Sequence, residues 1–126
     1  MHITSIGIDL GKTTFHLVAL GERNKVLVRK KFSRAQLLAY CANLPSSLIG
    51  LEACAGAHFM GTRLREQGHE VRLIPAQFVK PYRKSNKNDF IDGEAIAEAV
   101  TKQNMRFVQI KTQEQLVWSA TELQEA

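Results

Sequence analysis

A mixed α/β fold with helices on both faces of its sheet is what this 126-residue sequence predicts, and three observations carry that expectation. The first third alternates apolar and polar residues with a period of two, interrupted twice by turn residues. The middle third sets two short apolar runs of buried-strand type among segments of helical periodicity. The stretch from Lys84 to Glu98 then carries a basic loop straight into a helix that opens on carboxylates.

In chain order, residues 3–10 predict a strand, with Ile6, Ile8 and Leu10 on one side and Gly7 and Asp9 on the other. Gly11-Lys12 marks a tight turn, and residues 13–20, rich in β-branched and aromatic side chains, predict a second strand. Gly21-Glu-Arg-Asn24 turns the chain into a third strand over 25–32, which completes a meander. Ser33 caps a helix predicted over 34–43, with Leu37, Leu38 and Cys41 inward. Residues 48–52 form the fourth strand, 55–67 a helix closed by Gly68, and 70–74 a fifth strand ended by Pro75. The last helix of the domain starts at Asn88 or Asp89, either of which can cap it. Ile91, Ala95, Ile96, Ala99 and Val100 supply its apolar face.

The order β-β-β-α-β-α-β-α requires a mixed sheet and is that of a ribonuclease H-like domain. Ligands of such sheets gather at the carboxyl ends of the central strands. Asp9 lies toward the end of the first strand, and Glu52 ends the fourth, which is expected to lie next to it. Asp89 and Asp92 are three apart and would share one face of the last helix. Each acid has an ordinary explanation alone: first turns of helices favour carboxylates, Asp9 precedes a turn, and Glu52 precedes a helix. Four together crowd negative charge that a cation would offset. Two divalent ions about 4 Å apart can activate a water or hydroxyl and stabilise the leaving oxygen of a phosphodiester. Asp9, Glu52, Asp89 and Asp92 are therefore the candidate catalytic and metal-binding residues, with Mg2+ or Mn2+ as the expected cofactor.

Seventeen Lys and Arg against twelve Asp and Glu give a net charge of +5, which suits a polyanionic partner without requiring one. A composition 44% hydrophobic and 23% charged is that of an ordinary globular domain. Lys80, Arg83, Lys84 and Lys87 precede the last carboxylates and are the candidate nucleic-acid-binding residues; a solvated basic loop is the competing explanation. Phe78 and Tyr82, interleaved with them, are assigned mostly to packing. His58 and His69 are isolated and read as structural. Cys41 and Cys54 have no CxxC partner and read as reduced, core or near-core thiols. No cationic leader and no apolar run of membrane-span length occurs, so a cytoplasmic location with no membrane partner is expected.

Several motifs occur in order: Ile6-Gly-Ile-Asp-Leu-Gly-Lys12 with Phe15-His16, Leu51-Glu-Ala53, His69-Glu-Val-Arg-Leu73, Pro75-Ala-Gln-Phe-Val-Lys-Pro-Tyr82, Asn86-Lys-Asn-Asp89 with Asp92, Met105-Arg-Phe-Val108, and Gln113-Glu-Gln115. Together they resemble the N-terminal part of the DEDD transposases of bacterial insertion sequences, the recombinases of the IS110 and IS1111 groups, related to the Piv DNA invertases. The resemblance implies a RuvC-like domain whose Asp, Glu, Asp, Asp tetrad binds magnesium, and it carries that tetrad onto Asp9, Glu52, Asp89 and Asp92. It also implies DNA as substrate and a structured guide RNA as a further partner. Family proteins continue into a helical linker and a C-terminal domain with a serine nucleophile. The resemblance therefore implies that residues 1–110 are the RuvC-like domain, that 111–126 begin a truncated linker helix, and that the isolated chain is partial or inactive. Phe90 and Gly93 depart from the smaller or alanine-like residues expected at those positions.

Two rival readings share these residues. Ile8-Asp-Leu-Gly-Lys-Thr-Thr14 resembles the first phosphate loop of actin-like sugar kinases and chaperone ATPases, a fold that needs a second loop and a second domain. Alternatively, the chain is a nucleic-acid-binding or dimerisation module without catalysis. The stripe of Leu116, Val117, Ala120 and Leu123 beside Trp118 reads as an amphipathic helix over 113–126 that either packs against a second copy of the chain, the favoured use, or folds back on the domain's own helices.

Overall fold

The computed structural model describes residues 2–84, 88–102 and 105–111. Its strands are β1 (Ser5–Leu10), β2 (Phe15–Leu20), β3 (Val26–Phe32), β4 (Leu48–Glu52) and β5 (Glu70–Ile74), and its helices are α1 (Arg34–Ala42), α2 (Ala55–Glu66), α3 (Ala76–Val79) and α4 (Ile91–Ala99). The sheet order is β3-β2-β1-β4-β5. β1, β2 and β3 pair antiparallel, whereas β1–β4 and β4–β5 are parallel. This mixed sheet has the ribonuclease H-like order expected from the sequence, with β4 beside β1 as anticipated.

Alternation along β1 divides the interior into two layers. Ile6 and Ile8 join Leu17, Leu37, Leu51, Met60 and Leu64 in the core beneath α1 and α2. On the opposite face, Ile96, Val100 and Ala95 of the α4 segment pack with Ile74 and Val79. Fully burying a side chain such as Ile96 contributes roughly 1.5–3 kcal/mol, so α4 is held mainly by its apolar face. Its seat is made by glycines. Gly7 of β1 and Gly50 of β4 are register partners. A Cβ at Gly7 would meet the Gly93 carbonyl and the Ala97 amide, and one at Gly50 would lie 2.9 Å from Val100 Cβ. The helix backbone thus rests directly on the sheet, where the buried Ser5 hydroxyl donates to the Ala97 carbonyl at 2.6 Å. Gly93, a departure from the resembled pattern, has a place in this contact: a Cβ there would lie 3.0 Å from Val18 Cγ2.

Local chemistry explains most boundaries. Ser33 and Gln36 form a reciprocal capping box at the start of α1, and Gly68, at φ +98, ends the α2 segment in the left-handed region that glycine tolerates. Three expectations need correction. The segment after Pro75, read as a basic loop, folds into α3 and a 3-10 turn over Lys80–Tyr82. The last helix begins at Ile91 rather than Asp89, because the Asn88 side chain accepts the Phe90 amide at 2.8 Å and makes a turn ahead of the helix. Cys41 is buried as expected, but Cys54 is exposed at the N-cap of α2.

The assignments of Phe78 and Tyr82 to packing hold, since both lie against the α4-side core. The histidines also act structurally. His69 is buried, accepts the Ser47 amide at Nδ1 (3.1 Å) and contacts the Cys41 carbonyl through Nε2 (2.8 Å). His58 Nδ1 accepts the Lys111 amide at 3.0 Å. Lys87 and the predicted helix over 113–126 lie outside the described residues.

Candidate functional site

Register and helix seating bring three carboxylates to one end of the sheet. The parallel pairing runs through Gly7↔Gly50 and Ile8↔Leu51. One further step sets Asp9 beside Glu52 on the face that α4 covers. Asp92 occupies the first turn of α4, next to Gly93 where the helix sits on Gly7. Burial raises the Asp9 pKa above its ordinary value, and the Asp92 charge raises it further, while His16 and Arg83 pull it down. Glu52 is also raised, by burial first. Arg83 opposes that shift, Asp92 and Asp9 add to it, and Lys80 lowers it.

Arg83 sits at the centre of this group. It leaves the 3-10 turn with an extended backbone, its amide bonded to the Lys80 carbonyl at 3.1 Å. Its Nε lies 2.7 Å from Asp92 Oδ1 and its Nη2 3.4 Å from Glu52 Oε2. The guanidinium therefore ties the end of β4 to the start of α4. Beside it, Lys84 Nζ and Arg29 Nη2 each lie 3.9 Å from the Glu94 carboxylate.

Of the residues expected at the site, Asp9, Glu52 and Asp92 are brought together. Asp89 stands in the turn before α4, exposed and in no ion pair among the described residues; lying outside the helix, it does not share a helical face with Asp92. Arg83 and Lys84, expected to be open to phosphate, are engaged with carboxylates; Lys80 is exposed and close enough to act on Glu52. Two participants escaped sequence reasoning. Glu94 follows Asp92 by two positions on α4. His16 is the cross-strand partner of Asp9, packed edge-on to Phe90 with ring centroids 5.3 Å apart. The hairpin register from Leu10↔Phe15 would have revealed His16.

The donors are of the right chemistry for a hard divalent cation, and a guanidinium already stands among them as a cationic substitute. Among the described residues, however, no three His, Cys, Asp or Glu groups are spaced to hold one ion together. On the other face of the sheet, a cavity of about 300 Å³ is lined by Gly11, Lys12, Phe15, Arg34, Phe59 and Met60, among others, separate from the carboxylates. Among the described residues, no helix is long and apolar enough to cross a membrane.

The sheet order, with acids at the ends of β1 and β4 beneath the start of α4, defines a ribonuclease H-like domain with an acidic centre. Comparison with known proteins places it more narrowly. A transposase family model, the DEDD type of IS110, matches residues 6–121, and the chain belongs to that family. It is 49% identical over 119 residues to the transposase for insertion sequence element IS1328 of Yersinia enterocolitica, covering 94% of this chain and 36% of that protein. It is 44% identical over 115 residues to a protein of Pseudomonas aeruginosa named "Probable family 20 transposase", with coverage of 91% and 34%. Against the transposase for IS1111A of Coxiella burnetii it is 42% identical over 113 residues, covering 90% of the chain and 31% of that protein. The chain thus spans about a third of the length of these curated relatives.

Proposed function

We propose that this chain is the carboxylate-bearing domain of a DNA transposase and that phosphodiester strands are cut and transferred at the Asp9, Glu52 and Asp92 cluster, with Asp89 as the fourth acid. The observation that supports this reading is the convergence of three acids from β1, β4 and α4 on one face of a ribonuclease H-like sheet. These residues would hold Mg2+ or Mn2+, which supplies an activated water or hydroxyl and stabilises the leaving oxygen. Asp9 and Glu52 project from neighbouring strands and fix two donors rigidly, whereas Asp92 follows any movement of α4. Lys80, Lys84 and Lys87 draw in the phosphate backbone of cytoplasmic DNA, or of a structured guide RNA, through sequence-independent charge contacts. A second copy of the chain is a further proposed partner, through residues 111–126.

Titration calorimetry with Mg2+ and Mn2+, together with nicking of supercoiled DNA, tests the proposal. Binding by the wild type that Asp9→Ala abolishes is expected; equal binding by both would put the ion elsewhere. A second reading is favoured by the Arg83 bridge, which occupies two of the carboxylates: a nucleic-acid-binding module without chemistry. It predicts DNA binding with no ion-dependent nicking.

A further inference from the structure

We infer that Arg83 is an internal counter-ion of the carboxylate cluster, displaced when a divalent cation binds and then free to meet a substrate phosphate. The inference rests on the metal-site reading above and adds what the chain does before and after the ion arrives. Three acids converge and Arg83 touches two of them, at 2.7 Å (Asp92) and 3.4 Å (Glu52). One guanidinium against three carboxylates leaves two negative charges, the charge of one divalent ion.

The geometry argues that guanidinium and metal exclude each other. The guanidinium meets Asp92 Oδ1 through Nε and Glu52 Oε2 through Nη2, so it already occupies oxygens that an ion would take. An ion such as Mg2+ binds each oxygen at about 2.1 Å, so two ligands of one ion lie within about 4.2 Å of each other. With the guanidinium in place, no three donor groups among the described residues are spaced to share an ion. The cluster must contract around a metal, and Arg83 stands where it contracts.

Arg83 can leave without opening the core. Its side chain is 35% exposed, and its backbone is extended beyond the 3-10 turn. The apolar anchors of that segment, Val79 and Tyr82, precede it. A displaced guanidinium at the mouth of the site presents a planar, bidentate donor suited to a phosphate.

Two measurements on the 126-residue chain test this. At pH 8, Mn2+ calorimetry should show Arg83→Gln binding about twofold to fivefold more tightly than the wild type, the scale of one partly exposed ion pair. Equal or weaker binding by Arg83→Gln, with the wild type binding normally, overturns the displacement and leaves the metal site standing. If neither protein binds Mn2+, the metal-site reading fails and the displacement with it. Loss of a nearby positive charge could tighten binding without any movement, so the second measurement uses the wild type. The Arg83 Nε–H resonance, hydrogen-bonded at 2.7 Å, should shift toward a solvent-exposed arginine as Mg2+ is added; an unmoved resonance at saturating Mg2+ overturns the inference even where Arg83→Gln does not fold.

Discussion

Replacing Gly7 by alanine should do more damage than any other single added methyl group along β1, because the new Cβ would be driven against the Gly93 carbonyl and the Ala97 amide. These are backbone atoms of a helix and cannot rotate aside as the end of a side chain can. Overpacking that side chains can absorb costs about 1–3 kcal/mol, so we expect about 3 kcal/mol or more here. The helix must lift, which stretches the 2.6 Å bond from Ser5 to the Ala97 carbonyl and loosens the packing of Ile96 and Val100. Gly56→Ala is the matched control. Nothing lies within 4 Å of a Cβ at Gly56, in the first turn of α2, so alanine should stabilise the protein by about 0.5 kcal/mol. Urea unfolding followed by circular dichroism reads both. With a slope of about 1.5 kcal/mol/M, the midpoint should fall by about 2 M for Gly7→Ala and rise slightly for Gly56→Ala. A Gly7→Ala midpoint within about 0.5 M of the wild type, on the same slope, would refute the idea that α4 is seated on the bare backbone of β1.

Three further outcomes are expected. Because the Asp9 pKa is raised in the folded state, folding there favours the protonated acid, and stability is lost as pH rises from the unfolded value through the folded one. In chelator at pH 7.5, Asp9→Asn should therefore melt a few degrees above the wild type, an advantage that shrinks as pH falls through the raised folded value and is gone below the ordinary carboxylate range; an unchanged or lower melting temperature at pH 7.5 counts against the crowding of acids. His69→Ala should cost about 2–3 kcal/mol, since it strands the Ser47 amide and the Cys41 carbonyl that now bond the ring at 3.1 and 2.8 Å; denaturant unfolding checks this. A chromogenic disulfide reagent should titrate the exposed Cys54 in the native protein at neutral pH, while the buried Cys41, its thiol pushed up to about 11, should react only on unfolding.

The strands and their faces were legible because period-two alternation leaves little freedom: Ile6 and Ile8 must face one core, which sends Asp9 to the other side. β4 and β5 matched their expected bounds residue for residue, since short apolar runs between capped helices have clear ends. The α3 helix and the 3-10 turn after it were not legible, as neither is long enough to show a period. Asp89 was misplaced for a specific reason. Asn88 has the composition of a helix cap, but it bonds Phe90 in a turn before the helix, and that leaves Asp89 outside it. Cys54 went wrong because aversion to solvent is an average property of the residue, overridden where the chain turns into α2.

Arg83 shows where reading along a sequence stops. A cation among other cations reads as a phosphate contact, and nothing local tells that one of them faces inward. Its carboxylate partners are Asp92, nine positions on, and Glu52, thirty-one positions back. They converge on it because β4 pairs with β1, because the chain returns through α3, and because α4 can rest on Gly7 and Gly50. The same close approach gives Gly93 its place: a helix held higher by larger residues would carry Asp92 away from Asp9 and from the guanidinium. The three glycines therefore belong to the acidic centre as much as to the core, because they set the height at which its third carboxylate stands above the other two.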